Sequence, residues 1–389
     1  MRGARGHVRR TNGVSRRRRA DENKRQHRGN ADIAGDLGLA SGPRPVRVGV
    51  GNRQHLQERR RQLPHALLLV GQEGSGVVEL AHAFTTALLC EGAQVQGKAC
   101  GHCVACRWLQ QHNHPDFRLL IPEAMRSEEE AAAASSSEKR KPSQQILIEQ
   151  VRDLQDFLAV ATHRQGLRVI LLYPAESMNH NTANALLKML EEPPAGTVFV
   201  LVTFNLDHLL PTIRSRCQKI ALPVPPADVA TQFLVGQGVK EADKWLAMAG
   251  GVPLQALELA QHGEPSWLIA LLQFLTQGAK GDPFVTASKL EQGLKESKTR
   301  DPLVTVVNWL QKWAIDLACV AQDLPAQYFV RQERSLQNLS SMLSPITTVR
   351  YVRNLITRRQ AASQPLNTRL FLEDLCLDYQ SLFAEQSHA

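Results

Sequence analysis

The sequence predicts an α/β domain with a parallel sheet, followed by an all-helical region. Between residues 46 and 224, short apolar runs of strand length alternate with segments whose apolar residues recur at helical spacing. Beyond residue 225 the strand pattern ends and the helical spacing continues alone. The glycine-rich segment "GQEGSGVVEL" at 71–80 follows the first apolar run and leads into a helical pattern. Since parallel strands are joined by crossover helices, the alternation predicts a doubly wound sheet.

The elements of the α/β domain follow in chain order. The predicted strands are "HALLLV" at 65–70, "HPDFRLLIPE" at 114–123, "LRVILLYPA" at 167–175, "GTVFVLVTF" at 196–204 and "QKIALP" at 218–223. The predicted helices are "QHLQERRRQL" at 54–63, "LAHAFTTALLC" at 80–90, "ILIEQVRDLQDFLAV" at 146–160 and "NTANALLKMLEE" at 181–192, with a short helix or turn in "DHLLPTIRSRC" at 207–217. Pro193 and Pro194 end the fourth helix, because proline disfavours helical conformation in the residue before it.

The other segments are distinguished by composition. Residues 1–45 predict a disordered basic extension, and residues 124–144 predict an exposed insert of low complexity, because both are poor in large apolar side chains. The helical region divides into a small unit at 225–262 and a longer unit at 263–389.

The apolar segments are typical of a globular core. The runs "ALLLVG", "VILLY" and "VFVLV" are too short to span a bilayer, so we interpret them as buried strands. Three tryptophans of the helical region have apolar neighbours at helical spacing, namely Trp267, Trp309 and Trp313. We expect these side chains in a core rather than stacked on nucleic-acid bases.

The formal net charge of +9 is located near the amino terminus. Residues 1–30 hold eleven Arg and Lys against Asp21 and Glu22, whereas the rest of the chain carries equal numbers of basic and acidic side chains. The basic segment lacks the apolar stretch of a secretory signal. We interpret it as a dispensable extension in preference to a nucleic-acid-binding arm or a transit peptide.

The glycine loop, residues 71–76, has the backbone of a phosphate-binding loop without its side chains. Glycines stand where such a loop needs them, at Gly71, Gly74 and Gly76. The Lys and the Ser or Thr that should follow are replaced by Val77 and Val78. Val77 gives no charge to oppose phosphates, and Val78 gives no ligand for Mg²⁺.

A second nucleotide-binding group is also missing. The strand "VILLY" should end in an acidic metal ligand, but it continues as Tyr173-Pro174, and Glu176 lies beyond the expected position. We therefore expect no functional ATP site and no ATP hydrolysis. The glycines are then needed only for a tight strand-to-helix turn, although weak binding of an anion or nucleotide to the loop backbone stays open.

Four of the seven cysteines form a cluster, Cys90, Cys100, Cys103 and Cys106, with the spacing C-x9-C-x2-C-x2-C. The two-residue gaps let successive thiolates turn back onto one ion, which predicts structural Zn²⁺, with an iron–sulfur cluster as the alternative. Four thiolates leave no open position for water, so the site is not catalytic. Clustered cysteines without a secretory signal indicate a reducing cytoplasm.

Two arginines, Arg214 and Arg216, flank Ser215 where the α/β domain passes to its last strand. Paired arginines on a surface ordinarily form weak salt bridges. A chain that cannot hold its own Mg-nucleotide can still offer a guanidinium group to phosphates bound by a neighbouring chain, and we favour this role for Arg216.

At these residues the sequence resembles the bacterial DNA polymerase III delta-prime subunit family, AAA+ relatives found in the clamp loader. The loop "GQEGSGVV", the cysteine cluster, "ANALLKMLEEPP" and the Ser-Arg-Cys motif (Ser215, Arg216 and Cys217) occur in this order in that family. The resemblance covers about residues 50–225 and continues weakly through "GGVPLQALELA" and "PLNTRLFLEDLCLDY".

The resemblance implies an AAA+-type domain at 46–224 with a zinc module at 90–106, a helical lid at 225–262 and a helical collar for oligomerisation at 263–389. It implies a stator that neither binds ATP productively nor hydrolyses it, and so is not an enzyme on its own although it belongs to a polymerase holoenzyme. The Ser-Arg-Cys motif looks like the one that projects an arginine finger into an adjacent ATP site. In "GGVPLQAL", Leu254 stands where ATP-hydrolysing relatives carry a phosphate-sensing arginine.

The partners implied by the resemblance are the ATPase subunits and the delta subunit of a clamp loader. The sliding clamp would be contacted indirectly, and primer-template DNA would be held within the complex. The implied function is the loading of the sliding clamp onto primed DNA in the cytoplasm, without a membrane. One alternative is an ATP-hydrolysing motor subunit, which the missing nucleotide contacts oppose. The other is a zinc-containing regulator that binds nucleic acid through its basic extension, which the neutral body of the chain opposes.

Overall fold

The computed structural model describes residues 63–92, 98–126, 142–160, 162–163, 166–297, 301–364 and 366–384. The chain divides into two units, Met1–Pro225 and Pro226–Ala389. The basic extension predicted at 1–45, nearly all of the helix predicted at 54–63 and most of the insert predicted at 124–144 lie outside the described residues.

The first unit contains a five-stranded sheet in which every pairing is parallel. Its strands are β1 (Ala66–Val70), β2 (Phe117–Leu120), β3 (Arg168–Leu172), β4 (Thr197–Thr203) and β5 (Gln218–Ala221). Their spatial order is β2-β3-β4-β1-β5. The predicted parallel sheet is confirmed, and all five strands lie within the predicted segments. β3 and β4 are buried along their whole length, as continuous apolar strands of a covered parallel sheet should be.

In the described residues of the first unit, five α-helices accompany these strands. They are α1 (Val77–Leu89), α2 (Val104–Gln110), α3 (Ile148–Ala159), α4 (His180–Glu191) and α5 (Pro211–Arg214). The side chain of Asn179 accepts a hydrogen bond from the backbone N–H of Thr182 and caps the start of α4. The sequence did not predict α2, because this helix overlaps the cysteine cluster and its seven residues are too few to show an extended helical period.

Both faces of the sheet are covered, since successive strand residues point to opposite faces. Leu69, Leu171 and Val200 belong to one buried cluster, which also contains the α1 residues Val77 and Leu88. Leu68, Ile170 and Leu201 belong to a second cluster that contains residues of α3 and α4, among them Leu154, Leu186 and Leu190. Burying each such side chain contributes about 1.5–3 kcal/mol, so the doubly wound arrangement is held mainly by these two apolar layers.

The described part of the second unit is built from helices. They are α6 (Ala227–Gly236), α7 (Ala242–Met248), α8 (Pro253–His262), α9 (Ser266–Gln277), α10 (Pro283–Glu296), α11 (Pro302–Val320), α12 (Glu333–Ser340), α13 (Pro345–Ala362) and α14 (Thr368–Ala384). The Nζ atom of Lys312 on α11 donates a hydrogen bond to the carbonyl oxygen of Met248, 2.8 Å away. The division of this region at residue 262 into a lid and a collar stays a prediction.

Three of the four tryptophans of the second unit lie in its core, as the sequence predicted. Trp267, Trp309 and Trp313 are all buried. The indole N–H of Trp313 donates to the hydroxyl of Tyr379 at 3.1 Å, and that hydroxyl donates to the carbonyl oxygen of Leu275 at 2.7 Å. The polar atoms of both aromatic side chains are therefore satisfied without water, which allows their full burial.

Among the described helices, α11 alone has the length and apolarity of a membrane span. Half of its most apolar window is buried inside the protein, where Trp309 and Trp313 contact the rest of the core. This is the pattern of a core helix, whose apolar side chains face neighbouring helices.

A buried carboxylate on α11 orders the segment that precedes α12. Asp316 is fully buried, and its two oxygens accept hydrogen bonds from the backbone N–H groups of Gln327, Tyr328 and Phe329 at 2.7–3.2 Å. The carboxylate thus compensates backbone donors that would otherwise lie unpaired beside an apolar core.

Replacing Asp316 with Ala should lower the free energy of unfolding by about 3 kcal/mol, because three backbone donors lose their acceptor. Asp316→Asn, which keeps one acceptor oxygen, should cost less. Denaturant unfolding of the full chain measures both, with Asp301→Ala as the control, since the Asp301 side chain makes no capping hydrogen bond. Equal stability of the Asp316 and Asp301 variants would contradict this role.

Candidate functional site

The glycine loop joins β1 to α1 by a turn that bonds to itself and to β4. The backbone N–H of Gly71 donates to the carbonyl oxygen of Thr203 at 3.2 Å. Ser75 is fully buried, and its hydroxyl donates to the carbonyl oxygen of Gln72 at 2.7 Å. Gly74 and Gly76 have φ values of 79° and 95°, in the left-handed region that glycine adopts without strain. The loop is therefore a well-bonded strand-to-helix turn, whether or not a ligand binds to it.

The valine at the lysine position belongs to the hydrophobic core. Val77 is 1% exposed and packs in the cluster between α1 and the sheet. A Cβ atom on residue 71 would lie 3.1 Å from the Val77 Cβ and 3.3 Å from the carbonyl oxygen of Leu222, so a side chain at Gly71 would crowd both groups. The contact that a phosphate-binding lysine would make is replaced by apolar packing.

An aromatic side chain occupies the end of β3, where the sequence lacks an acidic residue. Tyr173 is buried, and its hydroxyl lies 2.9 Å from the Nε2 atom of His82 on α1. The two rings meet edge to face, with centroids 5.5 Å apart. The end of this strand is therefore bonded to the helix that follows the glycine loop, and it presents no carboxylate there.

The nearby carboxylate of Glu176 is bound to the end of β4. Its oxygens accept hydrogen bonds from the Thr203 hydroxyl at 2.7 Å and from the backbone N–H groups of Phe204 and Asn205 at 3.0 and 3.1 Å. Glu176 thereby ties the loop after β3 to the loop after β4. Sequence reasoning placed it beyond the metal-ligand position but could not identify these partners.

The cysteine cluster forms one compact site. The four Sγ atoms all lie within 4.8 Å of one another, and those of Cys90 and Cys103 are 4.0 Å apart. A tetrahedral ion with metal–sulfur bonds of about 2.3 Å places its sulfurs about 3.8 Å apart, so the thiols are spaced to hold a metal ion. Cys90 follows the last residue of α1, and Cys103 caps the start of α2, which explains how elements from both sides of the cluster meet.

Backbone donors favour ionised thiols in this cluster. The N–H groups of Cys100, Cys103 and Cys106 point to the preceding sulfurs of Cys90, Cys100 and Cys103 at 3.3–3.4 Å. A hydrogen bond with the Cys106 thiol lowers the pKa of Cys90, and the same interaction raises the pKa of Cys106. Burial raises the pKa of Cys100, while the backbone N–H groups act to lower the pKa of each sulfur that they face. Thiolates are the form that binds metal, so these backbone donors favour the metal-binding form.

A glycine provides the space for the cluster. A Cβ atom on Gly92 would lie 2.6 Å from the Cys100 Sγ atom. No spacing rule for cysteines predicted this glycine. Any larger residue would displace a sulfur from its neighbours.

The Ser-Arg-Cys motif lies between α5 and β5, and its arginine is held on both sides. One terminal nitrogen of Arg216 donates to the carbonyl oxygen of Thr212 at 3.0 Å and to the Ser215 hydroxyl at 3.3 Å. The other contacts the carboxylate of Glu191, the last residue of α4, at 2.5 Å. The Arg216 side chain is 35% exposed, so the guanidinium group is ordered by its own chain while part of it still faces outward.

The neighbours of Arg216 differ from it in environment. Arg214 is exposed, and one terminal nitrogen of its side chain lies 3.5 Å from the Leu206 carbonyl oxygen. Cys217 packs against the α3–α4 cluster, and burial raises the pKa of its thiol to about 11. Cys217 therefore anchors the motif as a neutral apolar side chain, whereas the arginines face outward.

Several residues that are far apart in the sequence lie close together in the structure. The glycine loop, Tyr173 and Glu176 meet around the carboxyl ends of β1, β3 and β4, while Arg216 meets the end of the "NALLKMLEE" helix. Sequence reasoning missed His82, Gly92 and Glu191 as partners, because none of them lies at a recognisable spacing from its contact. In class, this is a phosphate-loop-type α/β domain in which core and aromatic side chains occupy the positions of the nucleotide-binding groups.

Comparisons with known proteins agree with this class and narrow it to a family. Residues 53–226 match the family model described as DNA polymerase III, delta subunit. DNA polymerase III subunit delta' of Pseudomonas aeruginosa is 35% identical over 262 residues, which are 66% of this chain and 73% of the relative. The chain therefore belongs to the DNA polymerase III subunit delta' family.

Two further matches show the range of similarity. Subunit delta' of Escherichia coli K12 is 35% identical over 201 residues, which are 51% of this chain and 54% of the relative. This match thus spans only about half the length of that relative. A solved gamma subunit-related protein of Thermotoga maritima covers 85% of this chain and 99% of its own, with 15% identity and a TM-score of 0.41, too distant to add to the assignment.

The Glu176 contacts predict a specific effect on stability. Glu176→Ala leaves a hydroxyl and two backbone N–H donors without their acceptor, so the free energy of unfolding should fall by about 2–4 kcal/mol. Glu176→Gln keeps one acceptor oxygen and should cost about half as much. Glu73→Ala, which removes an exposed carboxylate from the glycine loop, serves as the control in denaturant unfolding. A Glu176→Ala protein as stable as this control would show that the bonds are unimportant.

Proposed function

We propose that this chain is the delta-prime subunit of a DNA polymerase III clamp loader, the complex that loads the sliding clamp onto primed DNA. In this proposal the first unit is an AAA+-type domain that neither binds ATP productively nor hydrolyses it. The observation that carries the proposal is the replacement of nucleotide contacts by the chain's own packing. Val77 is core, Tyr173 is bonded to His82, and Glu176 is bonded to the end of β4.

The chemistry of an ATPase site explains why these replacements matter. Catalysis of phosphoryl transfer depends on a lysine over the β- and γ-phosphates and on Mg²⁺ held by a hydroxyl and a carboxylate. Val77, Val78 and Tyr173 supply none of these groups. The chain then acts as a rigid stator, and it is an enzyme only as part of the polymerase holoenzyme.

Arg216 is the group that we propose to act on ATP, in the site of an adjacent ATPase subunit. A guanidinium group is always charged and presents a planar set of donors that matches phosphate oxygens. Arg216 is part-exposed at the turn before β5, with Ser215 and Cys217 fixing that turn from either side. Charge that develops on the transferred phosphate would be stabilised by this arginine, supplied in trans.

The second unit would provide the lid and the collar that joins the subunits. On α13, Ile346, Val349 and Ile356 are 70%, 42% and 54% exposed and lie on one side of the helix. We propose that a collar helix of another clamp-loader subunit covers this stripe. The partners are then the ATPase subunits and the delta subunit, with the sliding clamp contacted indirectly, primer-template DNA inside the complex, and the cytoplasm as the location.

The cysteine cluster would hold one structural Zn²⁺. Four thiols at the observed spacing fit a closed tetrahedral site, and the N–H groups directed at the sulfurs favour their ionised form. When bound, the ion joins the end of α1 to the start of α2 and performs no chemistry. Zn²⁺ is favoured over an iron–sulfur cluster because one ion satisfies four convergent thiolates.

Arg216→Ala should lower the DNA-stimulated ATPase activity of the reconstituted complex by roughly two- to tenfold, because one of several ATP sites loses its trans donor. Folding and co-elution with the partner subunits should stay as in the unaltered protein. Arg214→Ala, which removes a neighbouring exposed arginine, is the matched control. Unaltered ATPase and clamp loading by the Arg216 variant would remove Arg216 from the mechanism.

Metal analysis of the purified chain should find about one zinc ion per molecule. Cys103→Ser should abolish most of this binding and lower the thermal stability, because the metal's binding free energy contributes to folding. Cys319→Ser is the control, since Cys319 lies on α11 in the second unit. A brown chromophore with iron in place of zinc would overturn the assignment of the metal.

A further inference from the structure

The ion pair between Glu191 and Arg216 connects two segments for which the sequence predicted no contact. Glu191 is the last residue of α4, in the segment "NALLKMLEEPP", and Arg216 lies 25 residues later in the Ser-Arg-Cys motif. Their side chains are 48% and 35% exposed, so the pair lies at the surface of the first unit. Surface ion pairs contribute little to folding, so stability is a weak reason for this contact.

The contacts of Arg216 define the orientation of its guanidinium plane. One terminal nitrogen is bonded to the Thr212 carbonyl oxygen and the Ser215 hydroxyl, and the other is bonded to Glu191. Acceptors at both terminal nitrogens restrict rotation of the group. The Nε–H and one further N–H then remain to meet an outside acceptor, since guanidinium carries five N–H donors.

A free arginine would lose rotamer freedom each time it met a phosphate. An arginine whose guanidinium plane is already fixed loses less conformational entropy on binding. It therefore binds phosphate more tightly without making an additional contact. The Thr212 and Ser215 contacts come from within the same turn, so they restrict only one edge of the group. Glu191 is the only ion-pair partner of Arg216 among the described residues, and it comes from a different element.

We propose that Glu191 is a positioning residue for Arg216. Its carboxylate holds the guanidinium group in the orientation that meets the phosphates of a nucleotide bound by the adjacent subunit. This inference rests on the proposed function of Arg216 in trans and adds a second residue to it. Glu191 itself does not touch the nucleotide, and α4 becomes the element that sets the angle of the arginine.

The opposite role for Glu191 makes a different prediction. A carboxylate that merely sequesters Arg216 would compete with phosphate, so removing its charge would release the arginine and raise ATPase activity. A carboxylate that positions the arginine makes the activity fall when it is removed. The direction of the change therefore distinguishes the two roles.

The experiment uses the complex reconstituted with full-length chains carrying Glu191→Gln, Glu191→Ala, Arg216→Ala, or Glu191→Ala with Arg216→Ala. The matched control is Glu192→Gln, which removes the charge of the adjacent exposed residue, whose backbone N–H donates to the Lys188 carbonyl oxygen. The measurements are kcat and KM for ATP in the DNA-stimulated reaction, co-elution with the partner subunits, and the thermal stability of each chain.

Positioning predicts a graded loss in kcat. Glu191→Ala should lower kcat by roughly two- to fivefold, and Glu191→Gln should lower it less because its amide oxygen still accepts a hydrogen bond. KM, co-elution and thermal stability should stay unchanged, and Glu192→Gln should behave as the unaltered chain. In the Arg216→Ala background, Glu191→Ala should have no further effect, because the residue it positions is absent.

The outcomes separate this inference from the proposed function. If Arg216→Ala leaves kcat unchanged, the trans role of Arg216 is wrong and the positioning role of Glu191 falls with it. If Arg216→Ala lowers kcat while Glu191→Ala leaves it unchanged or raises it, Arg216 acts without Glu191 and only the positioning role is overturned. Loss of co-elution in Glu191→Ala alone would also overturn it, since Glu191 would then act in assembly.

Discussion

Thr203, the last residue of the central strand β4, is the point on which the arrangement of the loops depends. Its carbonyl oxygen accepts the N–H of Gly71, and its hydroxyl donates to Glu176. The turn after β1 and the turn after β3 are therefore both bonded to the end of one strand. Thr203 is fully buried, so its carbonyl oxygen and hydroxyl are shielded from water, and both bonds at the carboxyl edge of the sheet come from within the chain.

These bonds hold the carboxyl edge of the sheet in place through contacts within the chain, which affects the role that the domain can have in a complex. A loop that depends on nucleotide for its order changes shape as nucleotide binds and leaves, whereas the glycine loop is bonded to its own backbone through the Ser75 hydroxyl. The sheet then provides a constant frame for the turn between α5 and β5. Such a frame would suit the role in trans that we propose for Arg216.

The elements that could be predicted from the sequence are those marked by a local pattern of residues. The strands are continuous apolar runs, and the cysteines have ligand spacing, so both were identified without the structure. The pairs Glu176–Thr203, Tyr173–His82 and Glu191–Arg216 were not predicted, because 27, 91 and 25 residues separate their members and no pattern relates them. Helix α2 was missed because its seven residues are too few to show the apolar repeat that indicates a helix.

The burial of Val77 also limits which substitutions the fold tolerates at this position. A lysine introduced at that position would place a charge in the layer between α1 and the sheet, with no carboxylate at the end of β3 to support a metal ion beside it. A lysine at this position would thus destabilise the chain without completing a metal site. In the role that we propose for this subunit, the absence of nucleotide binding is maintained by packing, so a single substitution does not reverse it.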